Sequence, residues 1–375
     1  MKSVSLILPL LFFAFSATAQ DSLEWQGQFS AFLNYNKPND LPVLIGARFI
    51  PGVNYRINTG VDRKFDFEGS LHINGTAGIH LFDSARTDGV IKPYRLWGRY
   101  STNQLEIRAG LQKINFGSAT LLRPLMWFDQ IDPRDPLQLT DGVWGLLARY
   151  YFLNNASIWL WGLWGNEKAK TWETSGTSQK FPELGGRFQS PVASGEMAVS
   201  YHFRKALTDT AFSSDRTETG ENRVGIDGKW DLGFGLWFEA SWTGKNYKEG
   251  NLTNQELLTL GADYTFGIGN GINLVIEHLL ISYDEKAFAF MSPHSFSGMT
   301  LSYPAGIADN VSSILFIDWT NSDLYTFLNW KHQFNKSALY LMMYWNPRHF
   351  AMPQQKGNSQ VFAGKGIQLM YVYNY

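Results

Sequence analysis

The densest chemistry in this sequence lies between Arg108 and Tyr151. A run of alternating residues, Arg108, Ala109, Gly110, Leu111 and Gln112, is followed by Gly117 and then by a segment holding Arg123, Asp129, Asp132, Arg134, Asp135 and Asp141. Four carboxylates so close together admit three chemistries. Clustered oxygens with backbone carbonyls would suit calcium. A carboxylate pair at a defined separation would suit glycoside hydrolysis, but spacing along a chain does not set separation in space. Asp-Pro and Arg-Asp-Pro steps also make turns and local salt bridges, and this simplest reading takes most of the weight. No cofactor is expected, with calcium at these aspartates as the low-ranked alternative.

Other catalytic signatures are missing. The chain has no cysteine, so thiolate metal sites and cysteine nucleophiles are excluded. Its seven histidines show no paired ligand spacing, since His72 and His80 lie eight residues apart on one strand face. No G-x-S-x-G step occurs. A net charge of -1 leaves no basic field for nucleic acid. An enzyme is not expected.

The elements that carry these residues are strands. From Phe65 to Leu81, Phe65, Phe67, Leu71, Ile73, Ala77, Ile79 and Leu81 fall on one face, and Asp66, Glu68, Ser70, His72, Asn74, Thr76 and His80 on the other. The same period of two returns in 105–112, 196–204, 223–230, 234–242 and 258–266. Further strand-like segments lie near 24–35, 43–57, 91–100, 143–153, 156–165, 271–282, 295–303, 311–319, 323–333, 336–346 and 361–375, about seventeen in all. Short and long connections should alternate, and counts from the two ends clash near residue 190. The clash predicts one more strand at Leu184 to Gln189, turning at Ser190-Pro191, inside what otherwise reads as a long loop, 165–191. Eighteen strands result, with sixteen as the alternative.

Composition says what kind of sheet this is. Charged residues make up only 17% and aromatics reach 15%, against roughly 25% charged in ordinary domains. Mean hydropathy is -0.21, and no run is long enough for a spanning helix. Low charge, many aromatics and long alternating strands predict an all-β transmembrane antiparallel barrel, lipid outside and polar lumen inside. At the N-terminus, Lys2, the apolar run Val4 to Phe15 and Ala17-Thr18-Ala19 read as a secretory signal peptide over 1–19, leaving a single barrel domain over 20–375. Location in the outer membrane of a Gram-negative bacterium follows.

The last strand carries Ile367, Leu369, Tyr371, Tyr373 and Tyr375 on one face. This resembles the terminal assembly signal of outer-membrane barrels, which implies recognition of Tyr371, Tyr373 and Tyr375 by the barrel-insertion machinery. The R-x-G-x-Q strand with a following Gly and a D-x-x-D-P-R-D loop resembles, over about 45 residues, the alginate-export-type and related porin families; the basic conduit of an alginate exporter is not evident, so polysaccharide export is not carried over. By strand count 113–142 is the third outer loop, the one that folds inward in general porins. Its Leu121, Leu122, Leu125, Met126, Trp127 and Phe128 suit a packed loop that narrows the lumen. Arg95, Arg99, Glu106, Arg108, Gln112, Arg123, Asp129, Asp132, Arg134 and Asp135 are therefore the candidate lumen and constriction residues.

The leading expectation is a passive channel for small hydrophilic solutes. The alternative is a non-conducting binding, receptor or assembly barrel acting through outer loops 165–191, 205–221, 284–294 and 346–360. Lipid, the insertion machinery and small solutes are the expected partners, with no nucleic acid; oligomeric state is not readable.

Overall fold

The computed structural model describes residues 22–37, 41–60, 62–80, 83–209, 216–246, 253–348, 352 and 359–375. The predicted signal peptide lies outside them. The described chain forms a single 18-stranded antiparallel sheet closed on itself. Every strand pairs with its neighbours in sequence, and the final strand β18 (Lys365–Asn374) pairs with β1 (Ser22–Asn36) from Gln28↔Asn374 to Asn36↔Gly366. Closure leaves no unpaired edge. The strand inferred from the parity clash is β8 (Glu183–Val192), and its turn to β9 (Gly195–Asp209) falls at Ala193–Ser194, three residues beyond the expected place.

Strand lengths run from seven residues in β7 (Ser157–Leu163) to 18 in β2 (Val43–Gly60), bracketing the roughly 9–11 that cross a bilayer at a tilt. Short turns gather at one end, among them 102–104, 193–194, 232–234 and 334–336. The long connections 113–142, 164–182 and 346–364 lie at the other. The alternation follows from antiparallel pairing around an even-numbered barrel.

Burial is inverted relative to a water-soluble sheet. In β11 (Gly235–Lys245), Trp237, Glu239, Ser241 and Thr243 are buried, whereas Leu236 is exposed. In β12 (Asn254–Phe266) and β13 (Ile272–Asp284), Leu260 is 58% exposed and Ile276 46%, while Glu277 is fully buried. Carboxylates inside and aliphatics outside fit lipid as the outer solvent. Exposed aromatics mark both ends of the wall: Tyr150, Phe234, Tyr264, Phe266, Tyr371, Tyr373 and Tyr375 toward the turns, and Trp144, Trp319 and Trp345 toward the long loops. No helix is long and apolar enough to cross a membrane.

The core sits on the inner side. One apolar cluster joins Leu121, Leu122, Met126 and Trp172 of the long loops to Leu257, Leu279, Ile281, Phe296, Phe316, Tyr325, Phe327 and Tyr344 of β12, β13, β14 (His294–Pro304), β15 (Asp309–Asp318), β16 (Asp323–Gln333) and β17 (Ser337–Trp345). A second joins Ile114, Phe116, Leu125, Trp127 and Phe128 to Val143, Leu147, Trp161 and Leu163 of β6 (Val143–Tyr151) and β7. A uniformly polar inner face is thus not what β12–β17 present. Many of their inner residues are apolar and pack on loop residues, beside buried polar groups such as Glu277 and Thr259.

Candidate functional site

The third loop at the long-loop end of the barrel, 113–142, follows β5 (Leu105–Gln112), within which Gly110 has a φ of 118° that favours glycine. Two buried carboxylates then take hold of its backbone. Glu239 accepts hydrogen bonds from the amides of Ala119 (2.6 Å) and Leu125 (3.1 Å). Glu277 accepts from the amides of Thr120 (2.6 Å), Leu121 (2.9 Å) and Leu122 (2.6 Å), from the Thr120 hydroxyl (3.1 Å) and from the Trp237 indole (2.9 Å). Successive amides turned toward one carboxylate form a nest. Gly117 lets the loop pass: its φ is 101°, and a Cβ there would meet the Glu239 carboxylate at 2.2 Å. Thr259 completes the hold through its hydroxyl on the Leu122 carbonyl at 2.7 Å.

Apolar packing does the rest on this side. Trp127 donates its indole N–H to Ser241 Oγ at 3.0 Å. Leu125 and Trp127 also lie over Gly225 of β10 (Arg216–Asp231), where a Cβ would come within 2.5 Å of Leu125 Cδ2. His202 is fully buried between the rings of Trp161 and Phe128; its Nδ1 accepts from the Trp161 indole at 3.1 Å, so its Nε2–H donates to Glu183 at 3.1 Å.

The second half of the loop meets the opposite wall through charge. Asp135 pairs with Arg48 at 3.2 Å and Asp141 with Lys92 at 2.6 Å. Arg95 donates to the Thr140 carbonyl at 3.0 Å and lies 3.9 Å over the Tyr94 ring. Burial would push the Asp141 carboxyl up, but the Lys92 ammonium outweighs it and holds the group below the usual carboxylate range. Lys113, at the start of the loop, has its ammonium pushed down by burial.

The sequence-predicted residues divide into two sets. Arg99, Glu106 and Arg108 stand on the inner wall near the turn end, with Arg56, Asp66 and Arg149. Arg99 reaches Asp66 (2.8 Å) and Glu106 (3.4 Å); Arg108 and Arg149 also reach Glu106, at 2.9 and 3.6 Å. Trp97 lies between Arg99 and Arg108, and Trp159 lies under Arg149 at 3.8 Å. Asp66 is buried, and Arg99, Glu106, Arg108 and Arg149 remain partly exposed. Arg95 is more buried and serves the loop.

Arg123, Asp129 and Arg134, expected to add charge to the opening, are instead buried, and Asp132 alone of the four keeps partial exposure. Arg123 is buried on Asp129 (3.0 Å) and the Phe116 carbonyl (3.1 Å), within the loop itself. Arg134 is buried on Asp132, over the rings of Phe327 and Phe362. Buried charges need partners and the nearest ones are local. Gln112 is likewise fully buried, its amide donating to the carbonyls of Arg108 and Gly145. Asp129, Asp132, Asp135 and Asp141 each engage a different cation, and among the described residues no group of three or more His, Asp or Glu could hold a metal. Tyr371, Tyr373 and Tyr375 lie exposed on the outer face of the closing pair, where the Tyr375 ring stacks on Tyr373 and Phe49.

The fourth loop, expected as an outer loop over 165–191, spans 164–182, and sequence reasoning missed its packing. It packs on the third: Thr171 donates to the Asp129 carbonyl at 3.0 Å and Trp172 to the Arg123 carbonyl at 2.8 Å. Glu173 is buried between Arg223 and Arg204. Burial raises its carboxyl, but the two guanidiniums outweigh that and leave it below its ordinary value. The expected loop 205–221 is largely strand, β9 and β10. From the stretch 346–360, the described Met352, with neighbouring Phe362 and Ala363, packs against the first apolar cluster. An indole in the run Thr171-Trp172-Glu173 was the available signal that this loop is buried.

No protein-family model and no curated protein sequence matches this chain. Solved structures do. The chain is similar to Pseudomonas aeruginosa OccK5 (OpdH), with a TM-score of 0.57 and 11% identity over 94% of this chain and 97% of that one. It is similar to Pseudomonas aeruginosa OpdQ, with a TM-score of 0.56 and 9% identity over 96% and 99%. It is also similar to Salmonella typhi OmpF, solved in complex with daunomycin, with a TM-score of 0.51 and 9% identity over 94% and 97%. At such identities the likeness is one of fold: a closed antiparallel barrel of the outer-membrane porin type, matched over nearly its whole length. None of these matches bears on the alginate-export-type resemblance.

Proposed function

We propose that this chain is an outer-membrane channel of a Gram-negative bacterium that passes small hydrophilic solutes by diffusion, with loop 113–142 folded into the lumen as its constriction. The observation that carries this reading is the span of that loop. Its first half is fixed to the inner side of β11–β13 by Glu239 and Glu277, and its second half reaches Arg48 and Lys92 on the far wall. The solute path then runs beside the far wall. There Ser70, His72 and Asn74 on β3 (Arg63–Ile79) are half-buried polar residues, and the arginines near Glu106 stay partly exposed. Mixed charge along that path screens solutes without strict ion selection. Export by the signal peptide over 1–19, and insertion guided by Tyr371, Tyr373 and Tyr375, belong to the same reading. The end bearing the long loops then faces the cell exterior.

The test is single-channel conductance in planar bilayers. A steady open state in the intact protein, raised by deletion of Leu121 to Leu137, is the expected result. Unchanged conductance and unchanged solute exclusion in the deletion would remove the constriction. The second reading, a barrel that binds without conducting, draws on the joint packing of loops 113–142, 164–182 and 346–364 in one apolar cluster. Absence of current from folded protein would favour it.

A further inference from the structure

Between the fourth loop and the inner faces of β10–β13 lies a cavity of about 150 Å³, roofed by Trp172, Glu173 and Thr174 and floored by Trp127. It is separate from the arginine wall. That volume matches the engineered protein cavity that accepts one benzene ring, so a single six-membered ring fits.

The charges that line it are closed on themselves. Glu221 accepts from Arg204 at 2.7 and 3.0 Å and from Arg223 at 2.9 and 2.5 Å, while Glu173 accepts from Arg223 at 2.6 Å and pairs with Arg204 at 3.2 Å. Two carboxylates and two guanidiniums cancel. Lys245 donates to the Thr174 hydroxyl at 2.5 Å. The two indole N–H groups are already engaged, on Ser241 and on the Arg123 carbonyl, so the tryptophans offer hydrocarbon surface.

Neutral polar groups remain. Gln255 donates its amide hydrogens to the Trp172 carbonyl (3.2 Å) and to the Tyr283 hydroxyl (2.9 Å), which leaves its own carbonyl oxygen to accept and the Tyr283 hydroxyl hydrogen to donate. Thr243 stands beside them on the inner face of β11. Aromatic carbon surface beside uncharged hydroxyl and amide groups is complementary to one chemistry, a ring with apolar C–H faces and a hydroxylated rim. We infer that this cavity binds a neutral sugar ring, as a monosaccharide or the terminal unit of a longer saccharide. The inference rests on the channel reading for its purpose, as the place where a solute pauses before the constriction.

The test uses the full mature barrel folded in detergent micelles. Saturation-transfer-difference NMR is recorded with methyl glucoside, methyl galactoside and inositol, with acetate and glycine as competitors. The expected result is transfer to ring C–H protons of at least one of the three, unaffected by acetate or glycine. The nearly isosteric Thr243→Val together with Tyr283→Phe should weaken it roughly tenfold, the loss expected of one or two neutral hydrogen bonds. No transfer from any of the three, displacement by acetate or glycine, or full transfer in the double variant would overturn the assignment. If that variant does not fold, competition in the unsubstituted protein decides. Current without sugar transfer removes this site and keeps the channel; transfer without current does the reverse.

Discussion

Loop 113–142 meets two walls that hold it by different physics. Toward β11–β17 it is sealed by apolar side chains and by amides on Glu239 and Glu277, all buried. Toward β2 (Val43–Gly60) and β4 (Ala85–Ser101) it is held by the Arg48–Asp135 and Lys92–Asp141 pairs, both partly exposed, and by one buried hydrogen bond from Arg95 to the Thr140 carbonyl. Buried hydrogen-bonded anchors are costly to break because each leaves unpaired donors behind. Exposed ion pairs are worth little and are screened by salt. One loop is therefore clamped on one side and only tethered on the other, and any opening should widen the tethered side first.

The strongest way to break that contrast is to remove the clamp. Glu239→Leu with Glu277→Leu strands five loop amides without acceptors. Each site should cost about 3–5 kcal/mol of anchoring, and conductance should approach that of the Leu121–Leu137 deletion. Single-channel recording reads this, and a double variant with unchanged current would show that apolar packing alone fixes the loop. Leu122→Ala comes next. Leu122 is fully buried in the first cluster, so truncation should cost about 2–5 kcal/mol. Amide exchange in 119–126 should quicken, with a smaller rise in current.

The difference between the walls also explains what could be read from the sequence. Seventeen strands are legible as strand-like segments, most clearly where a period of two survives because one face meets lipid and the other is polar, as in Phe65 to Ile79. Even the hidden β8 was recoverable, since antiparallel closure demands even parity. The sealed wall was not. In Leu274, Val275, Ile276, Leu279, Leu280 and Ile281 apolar residues occupy both faces, and a strand apolar on both sides does not say which side a loop will cover. Nor does sequence show that Arg123 turns back onto Asp129 instead of facing solute. The fourth loop escaped for a related reason. Its contacts are to residues some forty to eighty positions away, at Arg123, Asp129 and Gln255, and no local pattern encodes them.

Weaker effects belong to the tethered side. Arg48→Ala and Lys92→Ala should each change stability by only about 0–1 kcal/mol, within the scatter of thermal unfolding. Their effect should appear in ion selectivity, since each removes a positive charge from the wall beside the proposed path. Reversal potentials under a salt gradient should move toward cation preference, and less so at high ionic strength. A shift toward anions would place the path elsewhere.

The smallest expected effect is a response to acid at Asp141. Its carboxyl lies below its ordinary 3.8 because the Lys92 ammonium outweighs burial. A carboxyl depressed in the folded state stabilises that state fully above its unfolded value, and the contribution is lost as pH falls through the folded value. Acidification to below 3.8 should therefore loosen residues 135–142 while the clamp at 119–126 holds. Protection factors from amide exchange, corrected for the intrinsic rate at each pH, would show loss confined to the second half of the loop. Asp141→Asn should reproduce much of that loss at neutral pH and flatten its further dependence on acid. Equal loosening of both halves in the unsubstituted protein would mean that the two walls are coupled and that the loop moves as one body.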